Sequence, residues 1–238
     1  GTSIAQESPL WMRHCALSPD GTTIAFTYKG DIYTVPSTGG RATQITTNPA
    51  FDTEPVWSPD SKQIAFASDR MGSLDVFVVS SEGGAPQRLT THSGSEKPVA
   101  YKDNKHILFT ANIAPSAEDA GFPSGQFQQV YEVAVTGGRP AMFSSMPMEC
   151  ISINKEGVML YQDKKGYEDY WRKHQVSPIA RDIWTYTPGK KPVYQKQTTF
   201  GGEDREPVWS PDGKSFYYLS EEKGSFNIFQ RTPGTTTS

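Results

Sequence analysis

Ser18-Pro19-Asp20-Gly21 recurs as Ser58-Pro59-Asp60-Ser61 and as Ser210-Pro211-Asp212-Gly213. Behind each copy lies a short apolar run: Ile24-Ala25-Phe26, Ile64-Ala65-Phe66 and Phe216-Tyr217-Tyr218. Two degenerate copies keep the same order, Asp103-Asn104 before Ile107-Leu108-Phe109 and Glu156-Gly157 before Met159-Leu160-Tyr161. A polar-aliphatic-aromatic triplet then appears in every unit. It reads Asp31-Ile32-Tyr33, Asp75-Val76-Phe77, Gln129-Val130-Tyr131, Asp182-Ile183-Trp184 and Asn227-Ile228-Phe229. Glycine pairs follow the first three triplets, at Gly39-Gly40, Gly83-Gly84 and Gly137-Gly138, and short strands are expected to end at Ile45-Thr46, Leu89-Thr90 and Thr198-Thr199. A repeat this consistent dictates the architecture before any single residue does.

Each unit reads as four short strands. The first leads into Ser-Pro-Asp-Gly, where Pro presets φ and Gly tolerates positive φ. The apolar run is the second strand, the triplet opens the third, and the Gly pair turns into the fourth. Adjacent β-branched and aromatic residues suit sheets covered on both faces. Four-stranded antiparallel units with a period of about 40 residues are the mark of β-propeller blades, whereas solenoid repeats are usually shorter or helical. The expected fold is therefore all-β: one propeller region over residues 1–238, with about five blades near 9–47, 52–91, 96–144, 149–199 and 204–238. After Arg231 nothing resembles a fourth strand, and residues 1–8, which include Ser8, lack the alternation needed to supply one. The ring is thus expected to be incomplete, and the chain to be part of a larger protein.

The same frame accounts for residues that otherwise suggest chemistry. Trp57 and Trp209 precede their Ser-Pro-Asp turns at equivalent positions, which Leu17 and Ile153 fill elsewhere, so packing between blades explains them. Asp31, Asp75 and Asp182 form a row that Gln129 and Asn227 join, which fits a hydrogen-bonding role and not a metal. No nucleophile elbow, phosphate-binding loop, His-Glu-x-x-His or Cys-x-x-Cys is present, and His14, His92, His106 and His174 fall in different structural places. No catalytic residue, metal or cofactor is expected. The net charge of −3 gives no basic footprint for nucleic acid. No apolar run approaches the ~20 residues of a membrane span. Cys15 and Cys150 fall in the first strands of blades one and four, too far apart in a propeller for a disulfide, so both are expected to be free thiols. Small residues within 1–7 resemble the tail of a secretory signal and raise the expectation of an exported, periplasmic protein.

Two insertions interrupt the repeat. Residues 112–128 in blade three are rich in Ala, Pro, Ser and Gly and contain Phe122 and Phe127. Between Asp163 and Arg181, blade four inserts a stretch with Tyr167, Tyr170, Trp171, Arg172, Lys173 and His174. Loops on a rigid scaffold collect binding residues, and a Tyr-Trp-Arg cluster has the composition of interface anchors. These six are the candidate contact residues for a peptide or protein partner; the alternative is that they only pin the loop to its own blade.

The repeat resembles that of TolB-like propellers. Pro9-Leu10-Trp11-Met12-Arg13, Tyr28-Lys29-Gly30-Asp31-Ile32-Tyr33, Trp171-Arg172-Lys173-His174, Arg181-Asp182-Ile183-Trp184 and Gly202-Glu203-Asp204-Arg205 are, together, similar to the N-terminal propeller of bacterial tricorn-like serine proteases. The resemblance implies a noncatalytic module that filters or channels peptides toward PDZ and protease domains of the same parent chain. The family's catalytic Ser and His lie in those later domains, so none carries over to a position here. A free-standing TolB-like interaction propeller of the cell envelope, and the propeller half of a prolyl-oligopeptidase-type enzyme, stand as alternatives.

Overall fold

The computed structural model describes residues 12–92, 94–111, 129–144, 146, 148–163 and 180–235. All regular structure among them is β. Blade one comprises β1 (Arg13–Leu17), β2 (Thr23–Tyr28), β3 (Asp31–Pro36) and β4 (Thr43–Gln44). Blade two comprises β5 (Asp52–Trp57), β6 (Gln63–Ser68), β7 (Asp75–Ser80) and β8 (Gln87–Arg88). Blade three has β9 (Glu96–Asp103), β10 (His106–Ala111), β11 (Gln129–Ala134) and β12 (Ala141–Ser144). Blade four has β13 (Met148–Ile153), β14 (Met159–Asp163), β15 (Ile183–Thr187) and β16 (Val193–Lys196). Blade five has β17 (Asp204–Trp209), β18 (Phe216–Ser220) and β19 (Asn227–Arg231).

Every sheet pairs its strands in sequence order, so each blade is an antiparallel meander, and the fold is a β-propeller. Blade five is three-stranded, and no described strand pairs with the free edge of β19. The chain divides into two compact units between Pro98 and Val99. The first holds blades one and two; the second holds blades four and five and all of blade three except the start of β9.

The Ser-Pro-Asp turns work as the sequence suggests, and the side chains explain the wording. Ser18, Ser58 and Ser210 each donate a 2.6 Å hydrogen bond to the Asp two residues on. That carboxylate then accepts the backbone N–H of Thr22, Lys62 or Lys214 at 3.0–3.1 Å. The serine hydroxyl is the main reason Asp20, Asp60 and Asp212 are all held below the usual carboxylate pKa. The glycine pairs also have a conformational cause. Gly83 and Gly84, like their counterparts in blades one and three, sit at φ of 88° and 120°, a region L-residues rarely adopt.

The fourth strands stop one to three residues earlier than expected from Ile45-Thr46, Leu89-Thr90 and Thr198-Thr199. The reason is that a side chain takes over from the backbone. Thr46, Thr90 and Thr198 each offer Oγ1 to the third-strand N–H of Ile32, Val76 or Ile183, at 2.9, 2.9 and 3.0 Å. The ladder can therefore turn away with no third-strand donor left unpaired.

In the first unit the core joins Ile32 and Ala25 of blade one to Trp57, Ile64, Phe66 and Phe77 of blade two. Trp57 donates its indole N–H to the Ala16 carbonyl at 2.9 Å, and Trp209 reaches Val158 of blade four at 3.1 Å. Both tryptophans thus tie a blade to the one before it, as the packing reading holds. Leu17 departs from that reading and is 59% exposed, because it lies on the face of blade one opposite the Trp57 contact. In the second unit, one cluster joins Leu108 and Val130 to Met148 and Tyr161, and another joins Leu160 and Ile183 to Phe216 and Tyr218. The aliphatic residue of the triplet is fully buried in four blades, whereas Ile228 of blade five is 75% exposed.

Four first strands carry a register shift, where His14, Glu54, Cys150 and Glu206 adopt φ of 51–54°. These are β-bulges, with one extra residue that re-aims the strand. Blade three runs from Glu96 to Pro98 with one residue fewer than Asp52 to Pro55, and β9 has no positive-φ residue.

Candidate interaction surface

Both insertions join a second strand to a third: 112–128 connects β10 to β11, and 164–182 connects β14 to β15. The repeat therefore sets their roots at the same end of blades three and four. The corresponding connection in blade one is only Lys29-Gly30. Tyr167, Tyr170, Trp171, Arg172, Lys173 and His174, with Phe122 and Phe127, lie outside the described residues. The roots of the insertions are within them.

The blade-four insertion leaves and returns through a clamped neck. Asp163, the last residue of β14, accepts the Asp182 N–H at 2.8 Å and the Trp184 indole N–H at 3.1 Å. Its own N–H donates to the Asp182 carbonyl at 3.1 Å. Arg181 spreads across the neck, with Nε 3.2 Å from Glu149 Oε2 and Nη1 2.7 Å from Glu203 Oε1. Gln162 extends the web, donating to Glu149 Oε2 and accepting the Glu206 N–H at 2.7 Å. One arginine and one glutamine thus hold residues from β13, β14 and β17 around the base of the loop. Partial burial of these charge-assisted bonds makes the root rigid.

The floor beside this neck is acidic. Cys150 is surface-accessible, yet the atoms crowded around its thiol and then the Glu149 and Glu206 carboxylates push its pKa up to about 11. Such a thiol is a poor nucleophile at neutral pH. Cys15 and Cys150 are both free and lie in β1 and β13, the first strands of blades one and four.

The row of third-strand polar residues is structural, and each uses a different partner. Asp31 accepts from Gln44 at 3.0 Å, Asp75 pairs with Arg88 at 2.9 Å and Asp182 with Lys196 at 2.8 Å. Gln129 accepts the Tyr131 hydroxyl at 2.8 Å, and Asn227 donates to the Ser225 carbonyl. Sequence reasoning missed a second row, at the starts of first strands: Asp52, Glu96 and Asp204, none more than 1% exposed. Asp52 receives Arg70 Nη2 on both oxygens, at 2.9 and 3.0 Å. Burial raises the pKa of Glu96 and carries Asp204 up to about 6. The signal was present in the sequence as the parallel between Asp52-Thr53-Glu54-Pro55 and Asp204-Arg205-Glu206-Pro207. A charged residue at a strand start reads as a surface position unless the repeat is aligned.

His106 contacts both Asp103 carboxylate oxygens at 3.0 Å, and His92 Nδ1 accepts the Gly94 N–H, so each serves its own loop. Among the described residues, no group of three or more His, Cys, Asp or Glu is placed to hold a metal ion. No helix among them is long and apolar enough to cross a membrane.

Five meander blades, with a clamped neck at the root of the blade-four insertion, define a β-propeller. The chain belongs to the tricorn protease N-terminal β-propeller domain family, whose profile matches residues 9–238. It is 39% identical to tricorn protease homolog 1 of Streptomyces coelicolor over 213 residues, which is 89% of this chain and 19% of that protein. It therefore spans about a fifth of that relative's length. The crystal structure of the tricorn protease superimposes with a TM-score of 0.71 at 16% identity, covering 94% of this chain and 22% of that one. TolB from Acinetobacter baumannii gives a TM-score of 0.66 at 17% identity, over 93% of this chain and 52% of that one. At these identities the two structures show the shared fold.

Proposed function

We propose that this chain is a noncatalytic propeller module that gates or channels peptide substrates toward a serine-protease core carried elsewhere in its parent protein. Membership of the tricorn N-terminal propeller family carries the reading. The rigid neck at Asp163, Arg181 and Asp182 supports it further, because a clamped root suits a loop that presents side chains to a partner. In this reading Tyr167, Tyr170, Trp171, Arg172, Lys173 and His174 are the contact residues, and peptides and the parent's own protease domains are the partners. No catalytic step is assigned to the propeller. Export to the periplasm belongs to the same proposal, suggested by the small residues within 1–7, and fractionation of host cells checks it.

The test replaces residues 164–180 of the parent protein with a short Gly-Ser linker, keeping Asp163 and Arg181. Hydrolysis of unfolded casein is then compared with that of a fluorogenic tetrapeptide. A gating module predicts that the ratio of the two kcat/KM values changes several-fold. An unchanged ratio, with both rates at wild-type level, would remove the insertion from the substrate path. An isolated chain that cleaves casein, and loses that activity on mutation of one serine, would overturn the noncatalytic assignment.

A further inference from the structure

We propose that the cleft between blades one and two is a docking site for a cationic side chain, lysine or arginine, of a polypeptide partner. The N–H groups of that side chain donate to Thr34 and to the carboxylates of Asp20 and Glu82. The site does not depend on what the insertion binds.

The cleft has a volume of about 340 Å³ and lies wholly within the first unit. It opens among the turns that join first to second strands and third to fourth strands, the end of the blades opposite Lys29-Gly30. Ile45 and Trp57 give it an apolar floor and are 6% and 8% exposed. Asp20 and Glu82 line it as exposed carboxylates, and among the described residues no lysine, arginine or histidine joins them. Ser18 Oγ, the Thr22 N–H and Thr22 Oγ1 all donate to Asp20 Oδ1, at 2.6, 3.0 and 2.8 Å. These bonds keep the carboxylate charged at neutral pH and leave Oδ2 open to a ligand. Glu82 donates its backbone N–H to Ser80 Oγ at 3.1 Å, and its carboxylate makes no hydrogen bond or ion pair among the described residues.

Thr34 shows that the cleft lacks a donor. It lines the cleft, is 8% exposed, and its hydroxyl has no hydrogen-bond partner among the described residues. The repeat indicates what belongs beside it. Thr185 holds the same place in blade four, following Ile183 as Thr34 follows Ile32. There Gln197, just before Thr198, donates Nε2–H to Thr185 Oγ1 at 2.8 Å. In blade one the position just before Thr46 is Ile45, whose side chain has no N–H to offer. Blade two removes the demand, with Val78 in place of the threonine. Thr34 is therefore a buried acceptor whose N–H donor the chain does not supply, and leaving such a group unpaired is costly. The two carboxylates select a positively charged donor over a neutral amide. The apolar floor suits the methylene stem of lysine or arginine, which packs on such surface while its head stays among polar groups.

Amide-resolved NMR titration of the full chain tests the site, with an end-blocked Gly-Gly-Lys-Gly-Gly peptide and its arginine and norleucine counterparts. The lysine or the arginine peptide should saturably shift the Trp57 indole N–H and the Thr34, Ser61 and Glu82 amides. The norleucine peptide, which keeps the stem and lacks the charge, should not. Thr34→Val keeps the shape and removes the acceptor, and should weaken binding about tenfold. Glu82→Gln, at an exposed turn, should weaken it by up to about fivefold, the range of a solvent-screened pair. A fall in either variant supports the site. Equal binding of the norleucine peptide, full affinity in both variants, or no saturable shift at millimolar peptide overturns it. If Thr34→Val does not fold, Glu82→Gln and the norleucine comparison decide.

Discussion

Replacing Arg70 by Met leaves a fully buried carboxylate without its cation while keeping most of the side chain's volume. Arg70 reaches both Asp52 oxygens, donates Nε to Ser68 Oγ at 2.8 Å, and lies 4.5 Å from the Phe77 ring centroid. Its side chain is 12% exposed and that of Asp52 is wholly buried, so solvent screens the pair little. Removing one partner of a buried pair costs about 3–5 kcal/mol, because the remaining charge is neither solvated nor neutralised. For a chain of this length that corresponds to a fall in Tm of roughly 6–20 °C at pH 7. Circular dichroism melts of wild type, Arg70→Met and the double variant Asp52→Asn/Arg70→Met measure it. The double variant should recover much of the loss, since it buries no charge. Lys102→Met serves as the control: it breaks the Lys102–Glu132 pair at 2.7 Å, whose side chains are 38% and 21% exposed. Such a surface pair is worth about 1 kcal/mol or less. If Arg70→Met melts with the control, or if the double variant is no better than the single, the argument from buried charge is wrong.

Other outcomes follow from the same structure. With its pKa near 11, Cys150 is about one part in a thousand thiolate at pH 8. Iodoacetamide should therefore modify it tens to hundreds of times more slowly in the folded chain than in urea, and equal rates would refute the crowding described. Ile183→Ala should cost about 2–4 kcal/mol and Ile228→Ala less than about 0.5, because one aliphatic side chain is fully buried and the other 75% exposed. Equal losses in chemical denaturation would mean that the outer face of blade five is covered in solution.

The blades were legible because repetition amplifies weak signals. One Ser-Pro-Asp turn is a common loop, whereas three in frame, each with its hydroxyl-carboxylate bond, fix the strand order around them. The two tryptophans and the third-strand polar row were read correctly for the same reason: a position filled by Asp, Gln and Asn in turn is used structurally in every blade. The first-strand acids were not legible. Asp52, Glu96 and Asp204 are charged residues at strand starts, where local reasoning places solvent, and only tertiary packing buries them. The bulges escaped notice too, since Glu54 and Glu206 carry none of the Gly or Asn chemistry that announces positive φ. The exposure of Leu17 shows a further limit. Equivalent positions in a repeat share a backbone environment but share a packing environment only where both neighbours are alike.

The bulges have a consequence for how such a chain can vary. At His14, Glu54, Cys150 and Glu206 the backbone steps aside, so the side chain is released from the alternation that forces its neighbours inward or outward. Three of the four are exposed and the fourth is half-buried, and none belongs to a core cluster. A substitution at these sites must first satisfy the left-handed backbone, and at Glu54 it must also replace the 2.7 Å ion pair with Lys97. Several chemistries meet the backbone demand already: an imidazole, two carboxylates and a thiol. The repeat therefore contains one interchangeable address per bulged first strand, where charge or reactivity can be altered while Pro55, Trp57, Pro207 and Trp209 keep their places. Within the repeat, such addresses are where divergence disturbs the fold least.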